Sequence, residues 1–261
     1  IPAGKIKESI KEADKLYSSG FYLPALKQYN KILKNISSAK NPLEYAKVMM
    51  NIGHCHIKLG FATDKESNAK KAISTFEELI KKVDKKKYPE FLVYSYEGIG
   101  VSNIILAKAR DPEKNANNAV LAIDLALKMV DKSKNVDVYA SLLSNKGIAY
   151  QTAAAYSNGD SSRKYYEKSN TALQEAIKVY NEKDFPLKYA KIQMNLGVNS
   201  TCMFLVDSKL PILNDAVTYY NNALKYLTIK NDLIYYSFVH YYLGETYRNR
   251  YNLEIVANRL Q

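Results

Sequence analysis

Five glycines at an almost constant interval constrain this chain more than any other feature. They stand at positions 53, 100, 147, 197 and 244, separated by 47, 47, 50 and 47 residues. Each closes a segment of one shape, running from Tyr45 to Gly53, Leu92 to Gly100, Tyr139 to Gly147, Tyr189 to Gly197 and Tyr236 to Gly244. A second motif is locked to the first. A small residue lies 28 positions before each glycine: Ala25, Ala72, Ala119, Ser169 and Ala216. Four residues further on comes a large apolar side chain (Tyr29, Phe76, Ile123, Leu173, Tyr220), and seven further on another apolar one (Ile32, Leu79, Ala126, Ala176, Ala223). Offsets of 4 and 7 trace one face of an α-helix. Each repeat is therefore two helices, an A helix carrying the glycine and a B helix carrying the small–large–apolar stripe. A glycine inside a helix costs about 1 kcal/mol of propensity. Its recurrence is expected to mark where helix B approaches a bare Cα.

Turn signals fall where such pairs need them. Pro42, Pro89 and Pro186, with Asp137 and Asp232 in the equivalent places, open the A helices, because a missing N–H or a capping carboxylate suits a helix start. Asp111-Pro112, Asn158-Gly159-Asp160 and Pro211 separate A from B. The reading is A/B pairs at about 5–18/22–37, 42–60/65–84, 89–109/113–132, 137–157/161–181 and 186–206/211–228, then an A helix over 232–250 and a short last helix from near Leu253. The repeat units run 5–40, 41–87, 88–134, 135–183, 184–230 and 231–261, the last one partial or capping, in a single all-α domain over 1–261.

Composition excludes several alternatives. Ten Gly and seven Pro are too few for a fold of many tight turns, and an apolar fraction of 47% supports an extensive core. The two cysteines, Cys55 and Cys202, lie far apart in helical sequence and form no disulfide framework, which points to a reducing, cytoplasmic setting. No apolar run approaches the ~18–20 residues that span a bilayer. The chain opens Ile1-Pro2-Ala3-Gly4 without a Met, as a processed or excised chain would. Its net charge of +12 attracts polyanions or acidic peptides, but the lysines are scattered along the whole length.

Ala13, Gly20, Tyr22, Ala25, Tyr29 and Ile32 carry a resemblance to the tetratricopeptide repeat (TPR) family, and the later units resemble a long-helix variant with repeats of about 47 residues instead of ~34. The resemblance implies a right-handed superhelical solenoid of about 11–12 helices in antiparallel pairs. It also implies a non-catalytic scaffold, whose concave face, lined by A helices, binds a peptide or helix of a partner protein. Carried across, the groove positions lie 6, 3 and 2 before and 1 and 5 after each glycine. They include Lys47, Met50, Asn51, His54 and Lys58 in the second unit, then Tyr94 and Glu97 in the third, where Gly98 fills another of these places. Ser144 and Asn145 follow in the fourth, Lys191, Met194 and Asn195 in the fifth, and Phe238, Tyr241 and Glu245 in the sixth. Some family members clamp a terminal carboxylate with Lys and Asn at such places. Here Lys47 with Asn51 and Lys191 with Asn195 repeat half of that arrangement, but the preceding units offer Ile10 and Asp14, and Ser144 and Ile148. The Asn side chains could equally bridge adjacent helices.

Other candidate chemistry is thin. In His54-Cys55-His56 the alternate residues point about 200° apart on a helix and cannot share one ion, so no metal and no cofactor is expected. Lys81, Lys82, Lys85, Lys86 and Lys87 gather at a helix end, where cations complement the dipole. There is no Gly-rich phosphate loop, zinc spacing or nucleophile elbow. Two rival readings are a basic module that binds nucleic acid or regulates signalling, and a repeat array that self-associates through its terminal units.

Overall fold

The computed structural model describes residues 3–259, with side chains from 4 to 256. Ile1 and Pro2, part of the expectation of processing, lie outside them. The chain divides into two compact units, Ile1–Val130 and Asp131–Gln261, whereas the repeat pattern alone reads as one continuous array. The division falls four residues before the expected repeat boundary at 134/135.

Unit 1 holds α1 (Ala3–Ser18), α2 (Tyr22–Leu33), α3 (Pro42–Ala62), α4 (Lys65–Lys82), α5 (Pro89–Ala107) and α6 (Pro112–Met129). Unit 2 holds α7 (Val136–Ala155), α8 (Gly159–Val179), α9 (Pro186–Asp207), α10 (Leu210–Leu224) and α11 (Leu233–Arg259). The described residues form no strand. Helix ends follow the residues that predict them. Pro42, Pro89, Pro112 and Pro186 are the first residues of α3, α5, α6 and α9, where the missing N–H costs nothing. Asp64 caps α4 by accepting from the Ser67 N–H at 3.0 Å, and Asp232 accepts from the Tyr235 N–H at 3.2 Å before α11. Other boundaries differ: α2 ends at Leu33 and α10 at Leu224, each four residues short of the expected end. α11 runs unbroken to Arg259, with no separate helix from Leu253. Residues 250–259 contain neither Gly nor Pro, and the Arg250 Nε donates to Glu254 Oε1 at 3.1 Å across one turn.

Every glycine of the repeat motif in α3, α5, α7 and α9 sits against the large residue of the next helix. A Cβ at Gly53 would meet Phe76 Cζ at 2.4 Å, at Gly100 Ile123 Cγ1 at 2.5 Å, at Gly147 Leu173 Cγ at 2.6 Å and at Gly197 Tyr220 Cε1 at 2.6 Å. The close approach inferred from the spacing is thus the packing rule of the fold. Phe76 exceeds expectation: its ring is also 2.4 Å from where a Gly98 Cβ would be. It fills a slot between α3 and α5, fully buried.

Within each unit the helices of one class touch and those of the other do not. Among the described residues, α1 contacts α3 and α3 contacts α5, while α2, α4 and α6 make no contact with one another; in unit 2 α7 contacts α9 and α9 contacts α11, but α8 and α10 stay apart. The side with closer spacing is the inner side of a bend. The A helices therefore line the inner face of each unit.

The loops from B to A share one turn. The carbonyls of Ser37, Asp84, Asp131, Asn181 and Thr228 accept from the N–H four residues on, at 2.8 to 3.1 Å. In all five the side chain folds back as well: Ser37 Oγ accepts from the Lys40 N–H and Thr228 Oγ1 from the Asn231 N–H, both at 3.3 Å. Asp84 Oδ1 accepts from the N–H groups of Lys86 and Lys87, Asp131 Oδ1 from Ser133, and Asn181 Oδ1 from Lys183 and Asp184.

Candidate binding face on the A helices

In unit 1 the inner-face residues of α3 lie one turn apart. Lys47 and Lys58 are exposed and carry no ion pair among the described residues; Met50, Asn51 and His54 between them are partly buried. Asn51 is engaged. Its Nδ2 donates to Asp14 Oδ1 at 2.9 Å and to the Tyr29 hydroxyl at 3.1 Å, and that hydroxyl donates to the same Asp14 oxygen at 2.5 Å. Three helices, α1, α2 and α3, are tied at this point. The carboxylate of Asp14 occupies the ground where a carboxylate clamp needs a donor.

His54 stands edge-on to Phe76, with ring centroids 5.7 Å apart. Burial, aided by the Lys58 charge, holds its pKa down to about 4, so it is neutral at physiological pH. The neighbours in the sequence diverge. Cys55 is fully buried and its thiol is pushed up to about 12 by desolvation, while the His56 Nδ1 lies 3.0 Å from Asn68 Oδ1. Among the described residues no group of His, Cys, Asp or Glu is arranged to hold a metal ion. On α5, Tyr94 and Glu97 are partly buried.

Unit 2 treats the same positions differently. Lys191 reaches Asp232 Oδ2 at 2.8 Å and lies 4.2 Å from the Tyr235 ring centroid, so its ammonium is held by the start of α11. Met194 and Asn195 are each only 7% exposed, because α9 is packed on several sides. Asn195 serves through its backbone: its carbonyl accepts from Gln151 Nε2 at 3.2 Å. That amide also donates to Asn199 Oδ1 at 2.7 Å, and Asn199 Nδ2 donates to Ser169 Oγ and Asn170 Oδ1, both at 2.8 Å. This chain of amides, with Asn199 fully buried and Gln151 and Asn170 partly so, joins α7, α8 and α9. The sequence pattern gave no sign of it, since Gln151 and Asn199 stand outside both motifs. Ser144 and Asn145 are partly buried on α7. On α11 Phe238 and Tyr241 are 50% and 61% exposed, and Glu245 pairs with Arg248.

The lysine cluster is a helix end. Lys81 and Lys82 lie in the last turn of α4, with Lys82 Nζ 2.7 Å from Glu78 Oε1, and Lys85 to Lys87 follow in the Asp84 turn.

Antiparallel helix pairs, a glycine in α3, α5, α7 and α9 opposite a large residue in the following B helix, and an inner face made of A helices define a tetratricopeptide-type helical repeat fold. A solved structure agrees. The TPR protein TTC0263 of Thermus thermophilus superposes with a TM-score of 0.61 at 16% sequence identity, over 92% of this chain and 98% of that one. The chain matches no protein-family model and no curated protein.

Proposed function

We propose that the chain is a non-catalytic interaction scaffold whose A-helix face in unit 1 grips an extended or helical segment of a partner protein. The observation that carries this reading is the pair Lys47 and Lys58, exposed without ion pairs among the described residues on either side of the partly buried Met50, with Tyr94 on α5 in the repeat place that Lys47 takes on α3. Two unpaired cations beside apolar surface suit a segment that mixes Asp or Glu with apolar side chains. Charge-assisted contacts there would give orientation and on-rate, and burial of Met50 and Tyr94 the larger share of the affinity. The segment is held along its length and not by its terminal carboxylate, since Asp14 would repel one. In unit 2 the corresponding lysine is already neutralised by Asp232, and Phe238, Ser144 and Asn145 offer polar and aromatic contacts instead.

Peptides selected from a random display library on the immobilised chain test the reading. Their affinities, measured by fluorescence anisotropy, should fall roughly tenfold or more for Lys47→Ala/Lys58→Ala and again for Tyr94→Ala. Selected peptides that bind all these variants as tightly as the parent would reject the A-helix face.

A further inference from the structure

Helix α6 carries leucines at two places where α2, α4, α8 and α10 carry polar residues. Counted from the small residue of each B stripe, the places two and six later lie about 200° and 240° around the helix, on the side turned away from the paired A helix. They hold Lys27 and Lys31 on α2, Ser74 and Glu78 on α4, Thr171 and Glu175 on α8, and Thr218 and Asn222 on α10. On α6 they hold Leu121 and Leu125, 63% and 44% exposed, and Met129, one turn on, is 41% exposed. Neighbouring helices do not cover these places. α4 lies against both α3 and α5, and α8 against both α7 and α9, yet Ser74, Glu78, Thr171 and Glu175 all stay exposed. The leucines of α6 therefore point outward by their place in the repeat.

The core does not need them. The opposite side of α6 already fills its pair with Ala119, Ile123 and Ala126, all fully buried. Leu121, Leu125 and Met129 follow one another at every fourth residue and together expose roughly 300 Å² of apolar surface, the size of patch that marks an interaction site. Exposed lysines bracket it. Lys114 stands seven residues before Leu121 and Lys128 seven after, two turns away on the same face, and neither has an ion pair among the described residues. Asn118, also exposed, completes the face.

We propose that this face docks an amphipathic helix of a partner protein, apolar along one stripe and carrying Asp or Glu about two turns to either side of its centre. Charge favours this occupant over a second copy. Lys114, Asn118, Leu121, Leu125, Lys128 and Met129 include no carboxylate, so another α6 brings no counter-charge to these lysines, in a chain whose net charge is already +12. A helix fits the shape, because the three apolar residues form one ridge of i±4 spacing, about 12 Å long, that interdigitates with the ridges of another helix. Pairing of the lysines with carboxylates sets register and direction, while burial of the leucines supplies the larger part of the affinity. The site lies on a B helix, apart from the A-helix face of unit 1. The unit can then hold two partner segments at once.

Selection from a helix-biased peptide display library tests the proposal, on the full chain carrying Lys47→Ala and Lys58→Ala to silence the A-helix face. Leu121→Ser/Leu125→Glu gives α6 the residues that α4 has at these places and leaves its buried side untouched, so far-UV circular dichroism should not change. Enriched peptides should carry apolar residues at i, i+3 or i+4 and i+7, with acidic residues to either side. Their dissociation constants, from fluorescence anisotropy, should rise roughly tenfold or more on that variant. Lys114→Glu/Lys128→Glu should weaken the same peptides and turn the preference to versions with Lys in place of Asp and Glu. Enriched peptides that bind Leu121→Ser/Leu125→Glu as tightly as the parent overturn the proposal, as do peptides indifferent to the charge reversal. So does adsorption to phosphatidylserine vesicles, or self-association in sedimentation equilibrium, that the leucine substitutions abolish, since the face would then serve a membrane or a second copy. None of these outcomes bears on the A-helix face, whose own variants leave α6 intact.

Discussion

Replacing Gly53, Gly98 or Gly244 by alanine adds the same methyl group to the interior of an A helix, yet the structure predicts opposite effects. Alanine gains about 1 kcal/mol of helix propensity over glycine wherever the space is free. At Gly244 no described atom lies within 4 Å of the new Cβ, so Gly244→Ala should stabilise the chain by about that amount. At Gly53 and Gly98 the new Cβ lies 2.4 Å from the Phe76 ring, about 1.5 Å inside ordinary carbon contact. The ring cannot step away from one glycine without moving towards the other, and it is fully buried. Overpacking a core in this way costs about 1–3 kcal/mol. With the crowded side at the upper end of that range, the net is a loss of about 1–2 kcal/mol. Urea denaturation followed by circular dichroism measures both signs. Phe76→Leu should relieve the penalty of Gly53→Ala in a double-mutant cycle. The reasoning fails if Gly53→Ala and Gly98→Ala stabilise, or if Gly244→Ala costs as much as they do.

Three further outcomes are expected. The pKa of His54, held near 4 in the folded chain against 6.5 in the unfolded one, means that the unfolded state binds the extra proton between those values. Stability should therefore fall by up to about 3 kcal/mol as pH drops from about 6.5 to about 4, and His54→Gln should flatten that part of the pH profile; an unchanged slope refutes it. Asn51→Ala leaves the Asp14 and Tyr29 hydrogen bonds short of a donor and should cost about 1–2 kcal/mol, with the coupling to Tyr29→Phe visible in a double-mutant cycle; additive losses would deny the network. Asp131→Ala removes the side-chain acceptor of its loop turn and should lower the thermal midpoint; no change would show that the backbone turn suffices.

The repeat itself was legible because packing at a helix crossing depends on residue size, and size is written in the sequence. Gly53 and Phe76, or Gly197 and Tyr220, had to meet for each to make sense. Helix starts were equally plain from Pro42, Pro89 and Pro186, where the ring suits the first turn of a helix and no later one. A further signal lies outside both motifs: sixteen residues before each glycine stand Ser37, Asp84, Asp131, Asn181 and Thr228, all able to fold a side chain back on the turn they begin. In the repeat pattern Gly98 reads as a gap among groove positions; in the structure it is the second wall of the Phe76 slot. That relation joins two different repeats, so no periodicity could display it.

The sequence by itself determined the helices, their pairing and the small–large complementarity that spaces them, since these depend on neighbours at fixed offsets along one chain. Only the tertiary structure decided which repeated positions remain available. Lys47 and Lys191 occupy the same place in the pattern, but Asp232 neutralises Lys191 while Lys47 stays exposed. Asn51 and Asn195 likewise share a place, and one closes a three-helix network while the other is buried in packing. The physical reason is that a polar side chain takes its role from whatever donor, acceptor or charge the adjacent helix brings within reach, and that partner is not fixed by the residue's own position in the repeat.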